Sequence, residues 1–298
     1  MSDSVIHNFS HSFLGTPFWI RIADEDYAYA QRATSAIFYH VHSFLPEIDV
    51  GELDGPMTGI NQMPVGGLVP VGEHFKALWS FAQRLKTMSN GAFDVTAGNV
   101  FASFKNTTGD STTDLPEIEK LFQSVKDSEW DLSGNEFCRL RGEASIDFSA
   151  FLKGYLCDVM ADLLENRWGI HQALLLAGGN RVLALDPPAG SAGWRLGVGE
   201  SQQILLSRSA MVSKFFTPSS SFLINLRTRQ RVQPNQPLRV LAREAMQAEG
   251  LACVWSLLNP VQVESIMQTN KDWGIWWGDN TRWGVAQKLK PTPLLPSA

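Results

Sequence analysis

Apolar residues return at steps of three and four along much of the chain, and the clearest such run lies near its middle. Leu152, Tyr155, Leu156, Val159, Met160, Leu163 and Leu164 fall on one face of a helix. The pattern predicts a helix starting near Ser149 as N-cap and ending around Arg167–Gly169, where a cation followed by glycine suits a C-terminus. Two short apolar runs follow, 173–177 and 182–185, parted by Gly178-Gly179-Asn180-Arg181, and they read as strands joined by a tight hairpin. Residues 144–148 add a strand in front, so the unit reads strand, helix, strand, turn, strand.

Residues 13–22 read as an opening strand broken early by Gly15 and Pro17, and 24–45 as a helix capped by Asp24. From 46 to 70, Gly, Pro and Asp recur throughout, which predicts a long loop. Phe75, Leu78, Trp79, Ala82, Leu85 and Met88 give an amphipathic helix stopped by Ser89-Asn90-Gly91. A short helix carries Leu115, Ile118, Leu121, Phe122 and Val125 behind the cap Asp114. Strands are expected over 130–141, 194–200, 203–216 and 221–232, and a helix over 239–257. Asn259-Pro260 starts a last short helix, and the Trp-rich stretch 273–283 closes the sheet.

Several polar residues stand out against this pattern. Lys153 and Gly154 lie in the first turn of the central helix, where free N–H groups and the helix dipole favour an anion, and Gly178-Gly179 offers further bare backbone. The plainer reading of the same residues is a hairpin turn and a solvated lysine. Asn61 is the residue of the long loop best able to meet a ligand, or else it holds a turn. Asp94 and Thr96, set between apolar residues and glycines, either close their own turn or hold a polar ligand. Glu249 sits among Ala245, Met246, Ala248, Leu251 and Ala252; a buried acid there requires a cation or a raised pKa. His40 and His42, two apart on a helix, face different ways and do not suggest a shared metal.

Composition narrows the class. Hydrophobic residues at 44% against 18% charged exclude a disordered chain, and a net charge of −5 with no basic run argues against nucleic acid as a partner. Cys138, Cys157 and Cys253 are odd in number and lack CxxC spacing, so reduced thiols are expected rather than disulfides or zinc. The N-terminus lacks the pattern of a signal peptide and no apolar stretch reaches membrane-spanning length. A soluble, cytoplasmic protein is the expectation.

Four stretches, taken in order, resemble one family. Residues 91–98 (GAFDVTAG), 146–158 (IDFSAFLKGYLCD), 177–180 (AGGN) and 248–253 (AEGLAC) are similar to the G-A-F-D-P-T-V-G, I-D-L-G-G-I-A-K-G-Y-A-V-D, L-G-G-D and A-D-x-x-A-T motifs of the ApbE family of FAD:protein FMN transferases. The resemblance implies a single α+β domain over 1–298, a largely antiparallel sheet with helices packed on it. It also implies FAD as substrate, Mg2+ as cofactor, and transfer of FMN onto a Thr or Ser of an acceptor protein. By matching positions, Asn61, Asp94, Thr96, Lys153, Gly178 and Gly179 become the FAD-binding candidates. Glu249, the Leu152 carbonyl and Cys253 become the metal candidates, and Glu249 the candidate catalytic base.

The departures from the family pattern are specific. Glu249 and Cys253 stand where the family has Asp and Thr, and sulfur is a poor ligand for a hard cation. The family's H-H-I-I-D-P-R-T-G reads SFLINLRTR over 221–229, without the histidines or the Asp. Its T-S-G-D reads Val212-Ser213-Lys214-Phe215, and two glycines before the central helix are Ser149 and Ala150. Two readings follow: an active, divergent transferase, or a non-catalytic relative that binds FAD or a partner protein.

Overall fold

The computed structural model describes residues 4–106, 115–198, 202–214, 222–233, 237–270, 272–277 and 292–293. In chain order its elements are β1 (Ile6–Phe13), β2 (Thr16–Ala23), α1 (Tyr27–Phe44), α2 (Pro56–Gln62), β3 (Leu68–Pro70), α3 (Glu73–Met88), α4 (Gly98–Asn106), α5 (Leu115–Asp127), β4 (Glu129–Ser133), β5 (Glu136–Arg141) and α6 (Leu152–Asp162). They continue with β6 (Ala173–Ala177), β7 (Arg181–Ala184), β8 (Trp194–Val198), β9 (Gln202–Leu206), β10 (Ser209–Lys214), β11 (Leu223–Asn225), β12 (Gln230–Val232), β13 (Leu238–Ala242), α7 (Ala245–Leu257), α8 (Pro260–Thr269), β14 (Gly274–Trp277) and β15 (Thr292–Pro293). The described residues fall into two compact units, one from 1–42, 151–221 and 233–298, the other from 43–150 and 222–232. Helix and sheet are both present in quantity and the main sheet is antiparallel, as expected for an α+β chain.

The first unit is built on seven strands in the order β1-β2-β6-β7-β10-β13-β14, every neighbouring pair antiparallel. Strand β13 is buried along its whole length, which is why its residues resist assignment from periodicity. The expected helix over 239–257 is therefore corrected: 239–242 belong to this strand, and the helix α7 starts at Ala245. The opening strand is likewise half of a hairpin. Strand β1 precedes it, pairing Phe13 with Thr16 across a Leu14-Gly15 turn. Both turn residues have positive φ, at +53° and +63°, as a two-residue hairpin loop demands. Strand β1 is a sheet edge with an alternating, mostly polar face, so it carries little apolar signal.

The antiparallel strands β8 and β9 pack Trp194, Leu196 and Ile204 against Val182, Met211 and Leu241 of the large sheet. Helix α1 is capped by Asp26, whose Oδ1 accepts the Tyr29 N–H at 2.9 Å, in place of the expected Asp24. Asp24 has φ +58° and accepts the Ala189 N–H instead. Helix α6 runs on through a π-helical turn over Leu163–Arg167 and ends before Gly169, at φ +63°. The Asn259 cap of α8 forms a full capping box with Gln262. Among the described residues, no helix is long and apolar enough to cross a membrane.

The second unit packs α3 on the sheet β3-β5-β4. Phe75 and Trp79 of α3 meet Phe137 edge-on at 4.7 and 4.9 Å between ring centroids, and Trp130 stacks on the same ring. The Arg139 guanidinium lies over Trp130 at 4.5 Å. The long loop expected over 46–70 holds the short helix α2, with Pro56 in its first turn, and the strand β3. Residues 144–148, expected as a strand, make only an isolated bridge between Ser145 and Ala97. The stop of α3 is as expected, with Asn90 and Gly91 at positive φ. Asp114, Phe215, Phe216, Ser221 and residues 278–283 lie outside the described residues.

Candidate functional site

In the first unit, two helices cap one another. Neither α6 nor α7 has a side-chain N-cap of its own: the capping positions are Phe151 and Glu244, so the expected cap Ser149 is not used. Its N–H instead bonds the Asp147 carboxylate. Asp158 of α6 accepts the N–H groups of Ala245 and Met246 at 2.7 and 2.8 Å, and Glu249 of α7 accepts the Gly154 N–H at 2.7 Å. The anion expected at the start of α6 is thus the chain's own carboxylate. Gly154 makes the approach possible, since a Cβ there would lie 2.5 Å from the Ala245 carbonyl oxygen.

Glu249 is fully buried, and the cation that such an acid requires is Arg181, the first residue of β7. Its Nε donates to Glu249 Oε1 at 2.5 Å and its Nη2 pairs with the same oxygen. Nη1 donates to Asn180 Oδ1 at 2.7 Å, and Asn180 is tied to Ser213 of β10: its carbonyl accepts the Ser213 N–H at 2.8 Å and its Nδ2 donates to the Ser213 carbonyl at 3.1 Å. Burial alone would lower the Arg181 pKa, but the charge and hydrogen bonds of Glu249 outweigh it and the net shift is upward. Lys153 is shifted downward, first by burial and then by the like charge of Arg181, with Glu249 opposing. Lys214, at the end of β10, donates from Nζ to Cys253 Sγ at 2.8 Å. Burial pushes the neighbouring Cys157 thiol well up, so it is inert as a nucleophile.

The hairpin candidates are less open than their glycines suggest. Gly178 and Gly179 have φ of +60° and +74°, which glycine alone adopts without strain, and the Gly178 N–H is already bonded to Pro17. Gly179 borders open space. The structure therefore gathers Lys153, Gly178, Gly179, Glu249 and Cys253 around two cations that pattern reading did not select, Arg181 and Lys214.

The metal expected from the resemblance would have to bind through these donors. Glu249 has both oxygens engaged by Arg181 and Gly154, and Cys253 faces an ammonium group. Leu152 is buried at the head of α6. Among the described residues, no group of three or more His, Cys, Asp or Glu side chains is placed to hold a metal ion. This donor set does not fit Mg2+, and a fully buried, doubly bonded Glu249 does not fit a base that must meet an incoming hydroxyl.

Asn61, Asp94 and Thr96 belong to the second unit, and each is occupied there. Asn61, on α2, clamps the backbone of Ile146: Oδ1 accepts its N–H at 2.7 Å and Nδ2 donates to its carbonyl at 2.9 Å. Asp94 Oδ1 accepts the N–H and the hydroxyl of Thr96, both at 2.9 Å, which is the self-closing turn. Its Oδ2 pairs with Lys86 at 2.6 Å. Asp94 and Lys86 border a cleft of about 310 Å³ that Lys126, Arg229, Phe122 and Leu226 also line. Two of its three cations are already paired within the chain, Lys86 with Asp94 and Arg229 with Glu119.

Comparison with known proteins gives a consistent frame. The model of the ApbE family matches residues 14–275. The solved flavin transferase ApbE from Vibrio cholerae is similar at a TM-score of 0.80 and 16% identity, covering 98% of this chain and 97% of that one. The apo flavinyl transferase ApbE of Pseudomonas stutzeri is similar at 0.79 and 15%, covering 94% and 93%. The ApbE protein of Thermotoga maritima is similar at 0.76 and 17%, covering 92% and 94%. A search of curated proteins gives no match.

Proposed function

Because the chain belongs to the ApbE family, we propose that FAD is its ligand and that it passes the FMN portion of FAD to a Thr or Ser hydroxyl of an acceptor protein. The observation that carries this reading is the cation cluster at the Gly-Gly hairpin. Arg181 pairs with Glu249, Lys153 feels the charge of both, and Lys214 lies on Cys253 one helical turn along α7, so positive charge is in excess, the electrostatics a pyrophosphate requires. In the transfer, the acceptor oxygen forms a bond to the FMN phosphorus, the bond from that phosphorus to the AMP oxygen breaks, and AMP leaves with the electron pair. The hydroxyl proton goes to solvent, and lysine and arginine offset the charge gathering on AMP. The family match runs through both compact units, which supports treating the chain as one flavin-transferase domain. Three free thiols support a cytoplasmic setting.

A second reading, binding of FAD without transfer, is favoured by one specific observation: Glu249, the acid available to act as base, has both oxygens engaged. The experiment is titration of the purified chain with FAD, with AMP as control, followed by incubation with a candidate acceptor and detection of protein-bound flavin fluorescence after denaturation. Saturable binding with covalent flavin supports transfer, binding alone supports the second reading, and absence of binding removes both.

A further inference from the structure

Arg181 and Lys214 bring fixed positive charge to the two side chains, Glu249 and Cys253, that the sequence resemblance gives to a divalent cation. We propose that the Arg181 guanidinium substitutes for that cation, so that this chain engages the pyrophosphate of a dinucleotide without a divalent metal. The proposal rests on the FAD reading above and specifies how that site supplies its charge.

Four features carry it. Glu249 is fully buried and the Arg181 side chain only 14% exposed, so a metal ion entering here would meet a guanidinium already seated on a dry carboxylate. The guanidinium is held from both sides, by Glu249 on Nε and Nη2 and by Asn180 on Nη1, which leaves two of its five N–H groups outside these bonds. A fixed fork with two spare donors can bind a phosphate bidentately. The second metal candidate is closed in the same manner, since Lys214 Nζ lies 2.8 Å from Cys253 Sγ. The hairpin turn at Gly178-Gly179 joins β6 to the strand that starts with Arg181, so ligand backbone approach and guanidinium are set by one element.

The test uses the full chain and two probes, Mn2+ followed by electron paramagnetic resonance and FAD followed by calorimetry in EDTA or in Mg2+. The wild type is expected to leave Mn2+ free at millimolar concentration and to bind FAD with the same affinity in both buffers. The paired substitution Glu249→Asp with Cys253→Thr is expected to gain no Mn2+ binding while Arg181 is present, and to gain it when Arg181→Met is added. Arg181→Met alone is expected to weaken FAD binding in EDTA about tenfold, the loss of one bidentate phosphate contact. Should that variant fail to fold, Arg181→Lys, which keeps the charge but not the fork, serves in its place. Wild-type Mn2+ binding that Glu249→Gln abolishes would overturn the proposal, and so would FAD binding that appears only with Mg2+. If FAD binds in neither buffer the FAD reading fails, and the Mn2+ titrations alone then decide whether Arg181 holds the cation's position.

Discussion

Asp94 and Glu249 are both buried carboxylates beside a cation, yet they are held in opposite ways. Asp94 is satisfied by Thr96, two residues on, and by Lys86, whose side chain is 43% exposed. Glu249 is satisfied by Gly154 and Arg181, 95 and 68 residues away, and neither partner is free in solvent. The first arrangement forms with its own turn. The second exists only once α6, α7 and the β6–β7 hairpin are assembled, so it ties three elements together and depends on all of them.

Breaking the long-range pair gives the largest expected effect. Arg181→Ala leaves a charge buried without its partner and is expected to cost about 3–5 kcal/mol, read from the urea midpoint. Adding Glu249→Gln should recover much of that loss, and a double-mutant cycle with no coupling energy would mean the pair is not the anchor described. Gly154→Ala comes next at about 1–3 kcal/mol, because its methyl group would collide with the Ala245 carbonyl and part the two caps. Full stability in that variant would contradict the close approach of the helices.

The second unit should break more gently. Asn61→Ala strips both bonds from the Ile146 backbone, with an expected cost of about 1–3 kcal/mol and faster hydrogen exchange at that amide. Unchanged exchange would show the clamp to be incidental. Lys86→Met removes only a half-exposed partner from Asp94, and a change below about 1 kcal/mol that shrinks further in salt is expected. A loss as large as that of Arg181→Ala would erase the contrast between the two carboxylates.

Much of the fold was legible because local pattern and tertiary role agree in α3, α6, α8 and the β6–β7 hairpin. It was not legible where they diverge. Strand β1 is a polar edge, β13 is buried on every residue and mimics a helix, and α2 hides in a stretch of proline and glycine. The site divides similarly. Glu249 was readable as a buried acid in need of a cation, since its apolar neighbours are adjacent along α7. Arg181 was not readable as that cation, because the pairing is made by hairpin register and helix packing across 68 residues. Asp94 and Thr96 were readable as closing their own turn or holding a ligand, and the turn is what forms. Lys86 on Asp94 and the Ile146 backbone on Asn61 were not readable, because those partners come from other elements.

If Arg181 stands in for the cation, the positive charge of the site is built into the chain. Calorimetric titration of the wild-type protein with FAD, once in EDTA and once in excess Mg2+, tests it most directly. Equal affinity in the two buffers is the predicted result; binding that appears or tightens only with Mg2+ would contradict it.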